Sequence, residues 1–273
     1  MRKITFLMSA IGVCALSAPV AQAETVLRIS SWAPPTHFVN SKIWPEWGAM
    51  VEKATEGRVK TKIEYKLASP PKQFGVVRDG IADAAWIFHG YNTRYVATQA
   101  VEMPGLGSLV GRALGVTAVK LPAPKVYEAL SSGVTDGVFM PMETQKSFRL
   151  KEVVPNVTIM PGGLYYGSFG FILNPRLMAK LSKKDQAAIM SVSGAEFAKL
   201  GRHWDRADDI GREDAIKSGT KITVASDAIK ADYYARMKPI EDAWVKQTAK
   251  WFDGKAVLAE LRATARAYEK SKK

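Results

Sequence analysis

The chain has 273 residues, 47% of them hydrophobic and 24% charged, which excludes disorder and fibrous repeats and leaves apolar material for one large core or two modest ones. Lysine and arginine outnumber aspartate and glutamate by 39 to 26, and this formal +13 raises nucleic acid or a membrane surface as partners without choosing between them.

Arg2 and Lys3 open a positive stretch, Ile4 to Ala18 is almost wholly apolar, and Ala21-Gln22-Ala23 is a small-x-small cleavage signal. This pattern predicts a secretory signal peptide over residues 1–23, cut after Ala23, and therefore a periplasmic protein. A membrane anchor is the competing reading, but the apolar run is shorter than the roughly 20 residues that span a bilayer, and polar sequence begins at Glu24. Cleavage removes two of the 39 basic residues, Arg2 and Lys3, leaving 37 against 26 and a mature charge of +11. It also removes Cys14, the sole cysteine, so the mature chain has neither a disulfide nor a thiolate nucleophile.

Val26 to Trp32 reads as a strand ending at Pro34-Pro35. Ile43, Trp44, Trp47, Met50, Val51 and Ala54 recur at helical spacing, with Gly57 placed for a left-handed helix end. Val59, Thr61, Ile63 and Tyr65 then alternate with charged residues, the two-residue period of a half-buried strand that completes a βαβ unit. Phe74 to Gly80 predicts a short helix and Asp83 to Phe88 a buried strand that delivers His89, Gly90 and Tyr91 to its C-terminal end, where ligands sit in open α/β sheets. Val126 to Ser131 is helical, Gly133 ends it, and Gly137 to Met140 predicts a second such strand. Gly80-Ile81-Ala82-Asp83-Ala84 and Gly133-Val134-Thr135-Asp136-Gly137 share the form Gly-aliphatic-x-Asp-small. Further on come a strand from Ser168 to Leu173, one long helical pattern from Lys183 to about Ser218, and a helix capped by Asp227 that carries Ile229, Tyr233, Ile240, Trp244 and Trp251. The tail from Lys270 to Lys273 reads as a frayed terminus. The whole is an α/β protein.

No catalytic motif survives inspection. Gly105-x-Gly107 followed by Gly111 puts its third glycine one place late for a dinucleotide loop. Ser69-Pro70-Pro71-Lys72 has two prolines where a helical turn would bring Lys72 to Ser69. His37, His89 and His203 are too scattered for a metal helix, and no nucleophile with a nearby base is recognisable, so neither cofactor nor metal is expected. Basic residues such as Lys180, Lys183, Lys184, Lys199, Arg202 and Arg206 lie along helix faces without a nucleic-acid-binding signature, and export removes the chain from nucleic acid.

The string from Leu27 to His37, the run Val51-Glu52-Lys53-Ala54-Thr55-Glu56-Gly57-Arg58-Val59, and Leu121 to Leu130 through Gly133, Asp136 and Gly137 together resemble the solute-binding proteins of tripartite ATP-independent periplasmic (TRAP) transporters, the DctP-type family. The resemblance implies the type II periplasmic binding fold: two α/β lobes joined by crossing strands and a long helix, with no reaction catalysed. Lobe I would comprise residues 24–106 and 164–205, and lobe II residues 107–163 and 206–273. The lobes would close on a small organic acid and hand its carboxylate-bearing form to membrane permease subunits. By position, the resemblance assigns the ligand cleft to Trp32, Pro35 and His37; to Trp86, His89 and Tyr91; to Met140 and Glu143; and to Tyr165, Tyr166 and Phe169. His89 and Arg94 are the implied anion partners. The chain departs from the family in lacking a stretch on the order of 60 residues between Leu106 and Gly107, which leaves lobe II incomplete. That stretch supplies the arginine that clamps the ligand carboxylate through two charge-assisted bonds. Arg112 lies past the junction and the resemblance does not assign it that role. The crowding of Trp32, Trp86, Tyr91, Tyr165, Tyr166 and Phe169 favours an aromatic or bulky acid. A degenerate protein without ligand binding and an exported hydrolase are the alternatives.

Overall fold

A computed structural model describes residues 24–92, 94–104 and 107–271. The signal-peptide residues 1–23 with Cys14, the junction residues Gly105 and Leu106, and Lys272 and Lys273 of the tail lie outside the described residues.

The N-terminal half is built on a four-stranded sheet. Strand β1 (Thr25–Ser31) pairs in parallel with β2 (Val59–Tyr65) along its whole length and with β3 (Ala84–Phe88) near its C-terminal end. Strand β5 (Phe169–Leu173) closes the other side antiparallel to β3, giving the order β2-β1-β3-β5. Helix α1 (Trp44–Ala54) follows β1 as its spacing predicts, and it packs on β2 closely enough that a side chain at Gly48 would strike Thr61. Trp44, Trp47 and Val51 face inward onto Leu27, Ile29 and Ala84, and all six are buried. Burying each such side chain contributes about 1.5–3 kcal/mol, which is why this apolar stripe fixes the helix against the sheet. At α2 (Gln73–Arg78), Gly80 takes the left-handed conformation (φ 75°) and turns the chain into β3. The Asp83 carboxylate then accepts the main-chain N–H of Arg28 at 2.8 Å, pinning β3 to β1.

The second half is helix-rich. It contains α3 (Gly107–Ala113), α4 (Val126–Ser131), α5 (Thr144–Ser147) and a two-stranded parallel sheet of β4 (Asn156–Ile159) and β6 (Lys221–Val224). The strand expected at Gly137 to Met140 is not formed: residues 134–140 pair with no other strand, and the Phe139 carbonyl accepts the Tyr165 hydroxyl instead. A β-forming composition makes a strand only where a neighbour offers its main chain, and none of the described strands runs beside this one. Of the two Gly-aliphatic-x-Asp-small junctions, both end a helix on a left-handed glycine, Gly133 having φ 70°, but only the first leads into a paired strand.

The helical pattern from Lys183 is also not continuous. It resolves into α6 (Pro175–Met178) just before it, then α7 (Lys183–Ser191), α8 (Ala195–Ala198), a 3-10 turn, and α9 (Arg202–Lys217). Gly194 breaks it, with φ 58° and ψ −119°, a conformation closed to other residues. Helix α10 (Asp227–Thr248) is capped by Ser226, whose hydroxyl accepts the Ile229 N–H, rather than by Asp227. Its Tyr233, Met237 and Trp244 are buried, whereas Ile229 and Trp251 of the predicted stripe are exposed. Helix α11 (Gly254–Ser271) carries order to Ser271, past the expected fraying point at Lys270.

Gly211 of α9 lies against the main chain of Met142 and Glu143, so closely that any Cβ there collides with the Met142 carbonyl. Overpacking against rigid main chain costs about 1–3 kcal/mol. Gly211→Ala is therefore expected to lower the free energy of unfolding by roughly that amount in urea titration, while Gly201→Ala, in open space on the preceding turn, leaves it within about 0.5 kcal/mol.

Candidate functional site

The C-terminal end of β1 lies beside the middle of β3, so the residue that follows β1 meets side chains of β3. Trp32 stacks face to face on Trp86, ring centroids 4.5 Å apart, and donates its indole N–H to the Trp86 carbonyl at 3.1 Å. Phe169 stacks on the other side of Trp86 at 4.7 Å, and Trp204 of α9 on Phe169 at 4.9 Å. Trp86 is 4% exposed, so these rings form a filled column with only a 120 Å³ void beside Trp86, Phe169 and Trp204. His37 packs against Trp86 and approaches Glu143 at 3.7 Å; both are buried. Glu143 is engaged further: its carboxylate accepts the Ser147 hydroxyl, and its main-chain N–H donates to Asp208 at 2.8 Å. Trp32, His37, Trp86, Glu143 and Phe169 thus touch one another, and they join the first sheet to the second half of the chain.

On the far side of Tyr91 lies a cavity of about 940 Å³, near the upper end of the size range of ligand pockets. Tyr91, Met140 and Tyr165 line it, as does Phe88. Tyr91 stands edge-on to Trp32 at 6.5 Å and accepts the Ala123 N–H on its hydroxyl at 2.9 Å, which holds its ring in place. Burial pushes the Tyr165 hydroxyl well above the usual phenol range, so it serves only as a neutral group. Arg112, the last residue but one of α3, and Lys120 complete the wall with Asp136. Among the described residues, neither Arg112 nor Lys120 has an ion pair or side-chain hydrogen bond.

The remaining sequence-derived residues stand apart from this cavity. Arg94 is an exposed turn residue, and Tyr166 is exposed with its hydroxyl donated to the Gly162 carbonyl. His89 turns away: its Nδ1 lies 2.9 Å from the Ser168 hydroxyl, and burial lowers its pKa, favouring the neutral ring. This brings a hydroxyl next to a base, a pair not visible in the sequence. Ser168 donates to Glu102, however, so the carboxyl group sits on the serine and not on the imidazole that it would have to orient for acyl transfer. Sequence reasoning did not assign Arg112 or Lys120. The available signal was a strand-like run, Val116 to Leu121, directly after a helix ending in arginine. No cluster of metal-ligating side chains occurs among the described residues, and none of their helices is long and apolar enough to cross a membrane.

Glu102 is fully buried, with one carboxyl oxygen on the Ser168 hydroxyl and the other unpartnered. Burial raises its pKa from the usual carboxylate value to about 7. A carboxyl whose folded-state pKa is raised contributes stability that is complete below its unfolded value and is lost as pH climbs through about 7. Urea unfolding is expected to show a loss on the order of 3 kcal/mol between pH 5 and pH 8.5 from this group. Glu102→Gln, which keeps the hydrogen bond, should flatten that profile; an unchanged slope would place the titration elsewhere.

Comparison with known proteins bears on this site. The family model for bacterial extracellular solute-binding proteins, family 7, matches residues 104–248. A TRAP periplasmic solute-binding protein of Bordetella bronchiseptica, solved with (R)-mandelate and (S)-mandelate bound, is 30% identical and superposes with a TM-score of 0.83 over 88% of this chain and 98% of that one. A marine metagenome TRAP solute-binding protein specific for aromatic acid ligands, solved with 3-hydroxybenzoate, is 25% identical with a TM-score of 0.77, covering 87% of this chain and 96% of that one. The outer membrane transporter protein TsaT of Comamonas testosteroni is 25% identical over 319 residues, 92% of this chain and 94% of the relative. Since the chain has 273 residues, at least 46 of those 319 positions (319 less 273) have no residue of this chain opposite them.

Proposed function

We propose, from the premise that the chain belongs to the family 7 bacterial extracellular solute-binding proteins, that it captures a small aromatic carboxylate outside the cytoplasm and delivers it unchanged to the permease subunits of a TRAP transporter. The family consists of transport proteins and not enzymes, and for this chain we assign no catalytic step. Two lobes, residues 24–106 with 164–205 and residues 107–163 with 206–273, enclose the ligand. The observation that carries this reading is the 940 Å³ cavity, whose wall includes both the rings of Phe88, Tyr91 and Tyr165 and the cations of Arg112 and Lys120, which have no ion pair among the described residues. An arylcarboxylate needs those two features: a ring face to stack on, and a cation fork for the carboxylate. The relatives solved with mandelate and 3-hydroxybenzoate point to the same ligand class.

In this reading Arg112 takes the carboxylate, Tyr91 and Tyr165 flank the ring, and Met140 fills the remaining apolar wall. Trp32, Trp86, Phe169, His37 and Glu143 hold the closed arrangement of the lobes, and His89, Arg94 and Tyr166 are accessory at most.

A second reading, an incomplete binding protein, is favoured by the 46 or more positions of TsaT without a counterpart here. Calorimetric titration of the mature protein with mandelate, benzoate and 3-hydroxybenzoate separates the two. Binding of at least one acid is expected, accompanied by a rise in melting temperature, and Arg112→Ala should weaken it at least tenfold, about 1.4 kcal/mol. A folded protein that binds none of the three overturns the capture role and leaves the incomplete protein.

A further inference from the structure

Residues 116–121 and 134–140 all contribute to the wall of the cavity. Both are strand-like in composition, with Val116, Thr117 and Val119 in the first and Val134, Thr135 and Val138 in the second. Neither forms helix or sheet. Among the described residues, the main-chain N–H groups of Thr117, Ala118, Val119 and Lys120, and those of Asp136, Gly137 and Val138, donate to no main-chain or side-chain acceptor. Val116, Val119 and Val134 are 49%, 53% and 67% exposed. Unpaired main-chain donors beside exposed β-branched residues are what an additional strand recognises.

We propose that this groove binds a short, free, acidic peptide, which adds its main chain to residues 115–121 as a strand and sets a carboxylate against Arg112 and Lys120. The inference goes beyond the capture of small acids and does not depend on it. Charge selects the occupant. Two cations against Asp136 give the wall a positive balance, and the chain as a whole is +13, so an acidic peptide is attracted. A second copy of the same chain, which could offer an equally suitable strand, carries the same charge and is repelled. A ligand of a single ring would satisfy Arg112 but none of the main-chain donors along 117–120.

Isothermal titration of the mature full chain with an unlabelled hexapeptide alternating valine and glutamate is expected to give saturable binding. The same peptide N-methylated at alternate residues, unable to pair along one edge, should bind at least tenfold more weakly, as should its valine-lysine counterpart. Val119→Pro removes one main-chain donor from an exposed loop and should cost the peptide at least tenfold. Equal affinity for the N-methylated and unmodified peptides overturns the proposal, because side chains alone would then suffice. A protein that binds mandelate but not the peptide overturns it while sparing the small-acid reading; one that binds the peptide but none of the acids does the reverse. Dimerisation at micromolar concentration in sedimentation, abolished by Val119→Pro, would assign the groove to a second copy and also overturn it.

Discussion

One column of stacked rings ties this chain together. Trp32 follows β1, Trp86 lies in β3, Phe169 opens β5 and Trp204 belongs to α9, and each ring touches the next at 4.5 to 4.9 Å. Offset ring stacking contributes about 0.5–1.5 kcal/mol per pair beyond the area buried, and here it also fixes geometry. Because the column reaches α9, it sets where Asp208 and Gly211 stand, and these hold the turn at Met142 and Glu143 by a main-chain hydrogen bond and by close packing. The main chain just after residue 140 is therefore anchored to the first sheet. The stretch before it, residues 134–139, is tethered by the Tyr165 hydroxyl on the Phe139 carbonyl and by the Thr135 N–H on the Ala129 carbonyl, and it lines the cavity.

Much of the first half was legible in the sequence for a simple reason. Strands β1, β2 and β3 and helices α1 and α2 carry local periodicity, and each strand pairs with a neighbour close in sequence. The second half depends on pairings that periodicity cannot register. Gly137 to Met140 has the composition of a strand, yet its state is decided by whether another strand lies alongside. Gly194 and Gly211 looked alike within one helical pattern, but one ends the helix and the other admits a neighbouring main chain. The aromatic residues after β1 and β3 were correctly located at the sheet's C-terminal edge. Their sequence context does not say whether such rings face an opening or one another, and Trp32, Trp86 and Phe169 face one another.

Electrostatics separates structural from available charge. Arg58 pairs with Asp185 at 2.8 Å and fastens the start of β2 to α7; burial acts to raise the Asp185 pKa, but the hydrogen bonds from Ser182 and Arg58 outweigh it and lower it. Arg202 and His203 share Glu46, and Arg236 and Lys238 have carboxylates one turn along α10. Exposed pairs of this kind add little stability, about 0–1 kcal/mol each, but they occupy the cations that form them. Among the described residues Arg112 and Lys120 are not so occupied, and both line the cavity. That placement distinguishes them from the general excess of positive charge more surely than their residue type does.

The fold and the shortfall in length are compatible because they fall on different parts of the molecule. The four-stranded sheet has its helix-covered core, with Leu27, Ile29, Trp44, Trp47 and Ile189 essentially inaccessible to solvent. The second half has smaller clusters, Val110 with Tyr233 and Met237, and Trp244 with Ala100, Met103 and Leu258, which hold α3 and α11 to α10 without a sheet between them. Helix packing of this kind tolerates missing strands, since helices satisfy their main-chain hydrogen bonds internally whereas a strand depends on its neighbour. What a shortened second half loses first is therefore strand pairing and not helix burial. The unpaired main chain that remains is exposed to water, where it costs little, and lies around a cavity that retains its aromatic and cationic walls.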